Sequence, residues 1–225
     1  MLFFEKVGKA FQYNLSNRII SAALTIITNI FVVRYLGIEN YGIYVLLISV
    51  FMFLEPLFNL QMERSLVRYI PEFLAKKEPG KCTGLIYLTI KYKLLSFFLL
   101  TPIILLICFL FFYDFLFPCV IIIFRSFFRI FHITFAAVLI SFYENKYKFY
   151  IEFISNISRL FLTLLLLKDY STVSMALAIT TMPAVILSIF YYPKVRYVIS
   201  SNPMEVGFKD KKRFFNMSSR AIISL

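Results

Sequence analysis

Apolar stretches about as long as a bilayer is thick recur along the chain, separated by short polar breaks. A membrane-crossing helix needs about 20 predominantly apolar residues, and six stretches qualify: 15–33, 41–60, 85–112, 118–140, 149–167 and 173–192. A seventh apolar helix begins at 214–225. The predicted fold class is therefore all-α, a polytopic membrane helical bundle with six transmembrane helices and the start of a seventh. Polar residues inside the stretches keep helical spacing, which puts them on single faces. Asn14, Arg18, Ser21, Thr25 and Thr28 share one face of the first, and Glu152, Asn156, Arg159 and Thr163 one face of the fifth. In the fourth, Arg125, Arg129 and His132 stand one above another, with Ala136 continuing the row.

The breaks carry their own signals. Residues 1–14 mix Phe3, Phe4, Val7 and Phe11 with Lys6 and Lys9, the pattern of an amphipathic segment lying on the membrane surface. Gly37 suits a helix end, and a hairpin there would bring Arg18 and Glu55-Pro56 to equal depth, making Glu55 the expected partner of Arg18. Pro56 and Pro183 are expected to bend or interrupt their spans. Residues 62–81 form an amphipathic basic connection, and Lys91 and Lys93 are expected to snorkel to the interface. Residues 193–213 read as a basic cytoplasmic linker. Beyond it Asn216-Met217-Ser218-Ser219-Arg220 echoes Asn14-Leu15-Ser16-Asn17-Arg18, so the chain is expected to be one lobe (15–192) of a two-lobed protein, with a second lobe starting at 214–225. The preference of Asn and Ser for helix starts explains the echo equally well.

Composition sharpens this picture. Of 225 residues, 60% are hydrophobic, the mean hydropathy is +0.81 and the net charge is +12. Charge of that size suggests nucleic acid until its distribution is considered. With the N-terminus inside, 19 of the 24 Lys and Arg fall in cytoplasmic segments and only Arg34 and Lys168 outside. That asymmetry is topogenic; it places both termini in the cytoplasm of a multi-pass plasma-membrane protein and argues against a nucleic-acid partner. Cys82, Cys108 and Cys119 occur in no C-x-x-C pattern and His132 is the sole histidine, so neither a metal site nor a cofactor is expected. No small-residue cleavage site follows the basic N-terminus, so the first span is read as retained.

Two arginines one turn apart inside hydrocarbon are costly and repel each other; such groups face a wet interior and mark a path for an ion or substrate. The cationic row of the fourth span therefore implies a cavity through which something anionic passes.

The run Val33-Arg34-Tyr35-Leu36-Gly37-Ile38-Glu39-Asn40-Tyr41-Gly42-Ile43-Tyr44, followed by Ser65-Leu66-Val67-Arg68-Tyr69-Ile70-Pro71-Glu72-Phe73, resembles the bacterial polysaccharide-biosynthesis flippases. These are the O-antigen and capsule repeat-unit translocases of the multidrug/oligosaccharidyl-lipid/polysaccharide exporter superfamily. The pattern departs at Asn59-Leu60-Gln61, where an acidic residue and a glycine are usual. The resemblance implies two bundles of six helices around a cationic cavity, and translocation of an undecaprenyl-diphosphate-linked oligosaccharide by alternating access. Its implied partners are the lipid bilayer, the lipid-linked oligosaccharide and polysaccharide assembly proteins.

A lipid diphosphate needs charge-assisted donors at membrane depth, which guanidinium forks supply. Arg125, Arg129 and Arg159 are the expected diphosphate contacts, with Arg18 at the cytoplasmic gate. Asn29, Thr25, Thr28, Asn156 and Thr163 are candidates for sugar hydroxyls, and Glu55, Glu152 and His132 for coupling or gating. Plainer readings stand beside these. Arg18 can simply snorkel, Glu152 and Arg159, two turns apart, can join a structural ion pair between helices, and the Ser and Thr stripe can serve close helix packing. The rival function is a membrane-embedded polysaccharide polymerase or lipid-phosphate glycosyltransferase, which needs catalytic carboxylates in a sizeable loop. The outer connections are only a few residues long, and no Gly-rich phosphate loop is present, so a non-enzymatic transporter is expected. A truncated product without activity is the third reading.

Overall fold

A computed structural model describes residues 2–111 and 113–198 together with residues 210 and 214. Its elements are α1 (Leu2–Asn59), α2 (Met62–Ala75), α3 (Pro79–Phe111), a 3-10 turn at Tyr113–Phe115, α4 (Leu116–Ser141), α5 (Asn145–Leu166), α6 (Val173–Ser188) and α7 (Tyr191–Val198). No strand occurs among the described residues. Five helical stretches are long and apolar enough to cross a membrane. The expected start of a second lobe at 214–225 lies outside the described residues apart from Phe214, as does most of the linker at 193–213.

The first membrane-length stretch, Gly8–Asn59, has 52 residues, more than twice what one crossing needs. It is interrupted at Gly37, whose φ of 75° and ψ of 168° belong to a region that only glycine occupies without strain. The chain folds back there. Asn17, before the glycine, bonds to Glu152, while Glu55, after it, pairs with Arg129. Glu152 and Arg129 line one cavity. An unbroken helix would hold Asn17 and Glu55 about 57 Å apart at 1.5 Å per residue, which one small cavity cannot bridge. The expected hairpin is present, although α1 runs through residue 14 without the break expected there.

The arm before Gly37 packs against α5 through a ladder of polar bonds. Asn145 Nδ2 donates to Ala10 O (3.1 Å), Asn17 to Glu152, Asn156 Nδ2 to Ser21 Oγ (2.9 Å) and Arg159 Nη2 to Thr25 Oγ1 (2.7 Å). Partners differ by 134 or 135 positions throughout, so the two helices run parallel and in step. In a membrane, where apolar contact between helices brings no hydrophobic gain over lipid, small and polar side chains hold such pairs together.

The connection after α1 is itself helical. The αL conformations of Leu60 (φ 51°) and Gln61 (φ 49°) turn the chain into α2. These residues stand where the resembled family usually carries a glycine, and their Cβ atoms strain that geometry. Helix α2 buries Met62, Leu66, Tyr69, Ile70 and Phe73 against the bundle and leaves Arg64, Arg68 and Lys76 on its outer face.

Two expectations are corrected. Lys93 does not snorkel: its side chain is fully buried, and its Nζ lies 3.0 Å from Glu63 of α2 and 3.4 Å from Thr134 of α4. A carboxylate on the neighbouring helix offsets the cost of burying the charge, an option that single-helix periodicity does not reveal. The sixth span is not interrupted at Pro183, which sits inside α6; the break falls at residues 189–190. Pro193 cannot donate to the carbonyl of Ile189 and its ring clashes there, so the helix restarts at Tyr191, with Tyr192 N donating to Ile189 O (3.1 Å).

Candidate functional site

The row on α4 keeps its helical register, but its members meet different surroundings. Arg129 Nε donates to the Glu55 carboxylate on the second arm of α1. This overturns the expected Glu55–Arg18 pair. Arg18 lies on the exposed side of the helix, 100° around its axis from Asn17, which faces α5. Arg125, one turn before Arg129, is only partly exposed, yet among the described residues it makes no hydrogen bond or ion pair. The charged and phenolic groups acting on it are Arg129, Glu55, Tyr44 and Arg159.

Arg159 arrives from α5. Its Nη2 is held by Thr25, while its Nε is buried without an acceptor among the described residues. The Tyr44 hydroxyl, from the second arm of α1, completes the group and donates to Thr180 Oγ1 (3.2 Å) on α6. Arg125 and Arg159 thus present two guanidinium groups from two helices, with no carboxylate among the described residues bonded to either, while the single phenolic proton of Tyr44 is already given to Thr180. That donor set suits a phosphate-bearing anion.

Towards the other end of α4 an open cavity of about 400 Å³ is lined by Arg129, His132, Glu63, Arg64, Lys148 and Glu152. Its carboxylates are already occupied. Glu63 holds Lys93, and Glu152 accepts from Asn17 and lies 3.7 Å from Lys148. Glu152 and Arg159 both turn to α1, where their partners Asn17 and Thr25 are uncharged, so neither joins an ion pair between helices among the described residues. His132 lines this cavity with its Nδ1 buried, and its ring packs 5.3 Å from that of Tyr191; among the described residues neither that Nδ1 nor the buried Tyr191 hydroxyl has a hydrogen-bond partner. A second cavity of about 330 Å³, between α1, α3 and α4, is walled by Leu47, Phe51, Cys108, Cys119 and other apolar side chains. Cys82, Cys108 and Cys119 are free and buried.

The structure therefore brings together Arg125, Arg129, Arg159 and Glu55, and sets His132 and Glu152 around the adjoining cavity. Asn29 is exposed. Asn156, Thr25, Thr28 and Thr163 are engaged within the bundle: Thr28 and Thr163 bond back to the carbonyls of Leu24 and Arg159. Sequence reasoning passed over Asn17, Tyr44, Glu63, Lys93, Lys148 and Tyr191. Asn17 had a legible signal, since Asn17, Ser21, Thr25 and Thr28 keep helical spacing as well as the stripe through Arg18 does.

A family model described as polysaccharide biosynthesis protein matches residues 7–224. No curated protein and no solved structure matches the chain.

Proposed function

The chain belongs to the polysaccharide biosynthesis protein family, and we propose that it is a flippase module that moves a polyprenyl-diphosphate-linked oligosaccharide across the plasma membrane for O-antigen or capsule synthesis. In this reading the helices make six crossings, with the two arms of α1 as the first two. Both termini lie in the cytoplasm, in line with the 19 of 24 basic residues on that side. The reading is a transporter, not an enzyme: the protein supplies a path for charge and makes or breaks no bond.

The observation that carries the proposal is that Arg125 and Arg159, on different helices and with no carboxylate bonded to either among the described residues, lie close enough to act on one another electrostatically. Unpaired guanidinium groups among membrane-spanning helices are costly, and a diphosphate relieves that cost by accepting from both. The ladder between α1 and α5 fixes the depth of Arg159 in the bundle. The inner cavity is the cytoplasmic approach, with Arg129 at its end and the sugars spread over Glu63, Arg64, His132 and Glu152.

The test is translocation of a fluorescent polyprenyl-diphosphate sugar in proteoliposomes made from the full-length protein. Arg125→Ala at normal membrane levels should abolish translocation, and Arg125→Lys, which keeps charge but not the fork, should restore only part of it. Unchanged translocation in Arg125→Ala would remove the proposed site.

A further inference from the structure

Of the three arginines that surround the proposed path, one already holds a carboxylate. Glu55 pairs with Arg129 where α4 meets the second arm of α1, and neither side chain is fully buried, at 20% and 35% exposure. Arg129 also lines the open cavity, so this pair stands between that cavity and Arg125. An anion entering from the cavity meets Arg129 before it meets Arg125, and Glu55 occupies the guanidinium it needs.

We propose that Glu55 is an exchangeable counter-anion: a diphosphate displaces it from Arg129, and the released carboxylate takes a proton, so that each substrate bound carries one proton into the site. This rests on the flippase reading and adds its coupling step. The argument is one of charge. With Glu55 on Arg129, the pair is close to neutral and Arg125 and Arg159 are left to attract an anion. When two phosphate oxygens replace the carboxylate, Glu55 is left among membrane-spanning helices beside a dianion, and the repulsion favours its neutral form. The proton comes from water in the cavity, and no other bond changes. Pro56 follows directly, and its missing N–H removes one helical hydrogen bond from that arm.

The other charged and titratable groups around the pair leave this assignment to Glu55. Arg125 and His132 share α4 with Arg129, Tyr44 shares the arm with Glu55, and Lys93 of α3 acts on Glu55 from the side. Glu63 and Glu152, the carboxylates that line the cavity, keep Lys93 and Lys148 as partners when an anion binds at Arg129. Only Glu55 loses its cation to the substrate.

Reciprocity makes the proposal measurable, since protonation of Glu55 and binding of the anion must strengthen each other by the same factor. Calorimetric titration of the full-length protein with a polyprenyl diphosphate, run in two buffers of different ionisation heat, counts the protons taken up. Wild type should take up close to one more proton per ligand than Glu55→Gln, and Glu55→Gln should bind about tenfold or more tightly at neutral pH, because no carboxylate competes. Glu55→Asp, which keeps the charge, should behave as wild type and guards against a variant that fails through misfolding. Equal proton counts and equal affinities in wild type and Glu55→Gln would overturn the exchange while leaving the flippase reading intact. Failure of wild type to bind the diphosphate at all would instead sink that reading, and this proposal with it.

Discussion

Arg159 of α5 reaches Thr25 of α1 at 2.7 Å, across two helices that run parallel with bonded partners 134 or 135 positions apart. The bond fixes one edge of the guanidinium and leaves Nε buried without an acceptor among the described residues. The residue is thus held in place by one neighbour while part of its donor capacity stays unused, as expected of a group kept for a ligand. Thr25→Val should destabilise the bundle by only about 0.6–1.7 kcal/mol, the range for membrane hydrogen bonds, and leave diphosphate affinity within about threefold. Arg159→Ala should reduce that affinity at least tenfold. Thermal unfolding and ligand titration of the two variants in detergent separate anchoring from binding.

Gly37 sets the reversal of α1 through its backbone alone. A Cβ placed there meets nothing within 4 Å, so the cost of substitution is conformational. Gly37→Ala should lower stability by about 1–3 kcal/mol. Gly42→Ala has equally open surroundings but lies within a helical arm, and should raise stability by about 0.5–1 kcal/mol. The opposite signs are the outcome to look for in paired thermal melts.

Gln61 occupies left-handed backbone at φ 49° and ψ 24° without a side-chain cap bond. Gln61→Gly should therefore stabilise the α1–α2 turn by about 1 kcal/mol. A lowered melting temperature would show that the side chain makes an interaction that outweighs the strain.

The hairpin, the α4 row and the α5 stripe were legible because each is a periodic property of one helix. The α1–α5 ladder was half legible. Both polar stripes could be read, but the choice between Asn17 and Arg18 depends on which neighbour the helix faces, and charge drew attention to the residue that turns outward. The Glu55–Arg129 and Glu63–Lys93 pairs were out of reach for the same reason, since each joins helices whose adjacency no single-helix pattern specifies. The position of the last break was readable in principle from Pro193, whose clash falls four residues upstream.

The Glu63–Lys93 pair makes its own prediction. Removing one partner leaves a buried charge alone, so Glu63→Ala should destabilise the protein by about 3 kcal/mol, the lower part of the usual range because Glu63 is 22% exposed. Adding Lys93→Met to Glu63→Ala should recover most of that loss. If the double variant melts no higher than Glu63→Ala, the pair does not act as a unit.

The account depends above all on Arg125 and Arg159 acting together on one anion. The most direct measurement is the affinity of a sugar-free polyprenyl diphosphate for the full-length protein, compared among wild type, Arg125→Ala, Arg159→Ala and the double variant. Each single change should weaken binding at least tenfold, and the double variant should lose less than the sum of the two, since one diphosphate bridges both groups. Affinities that stay at the wild-type value in all three variants would contradict the account.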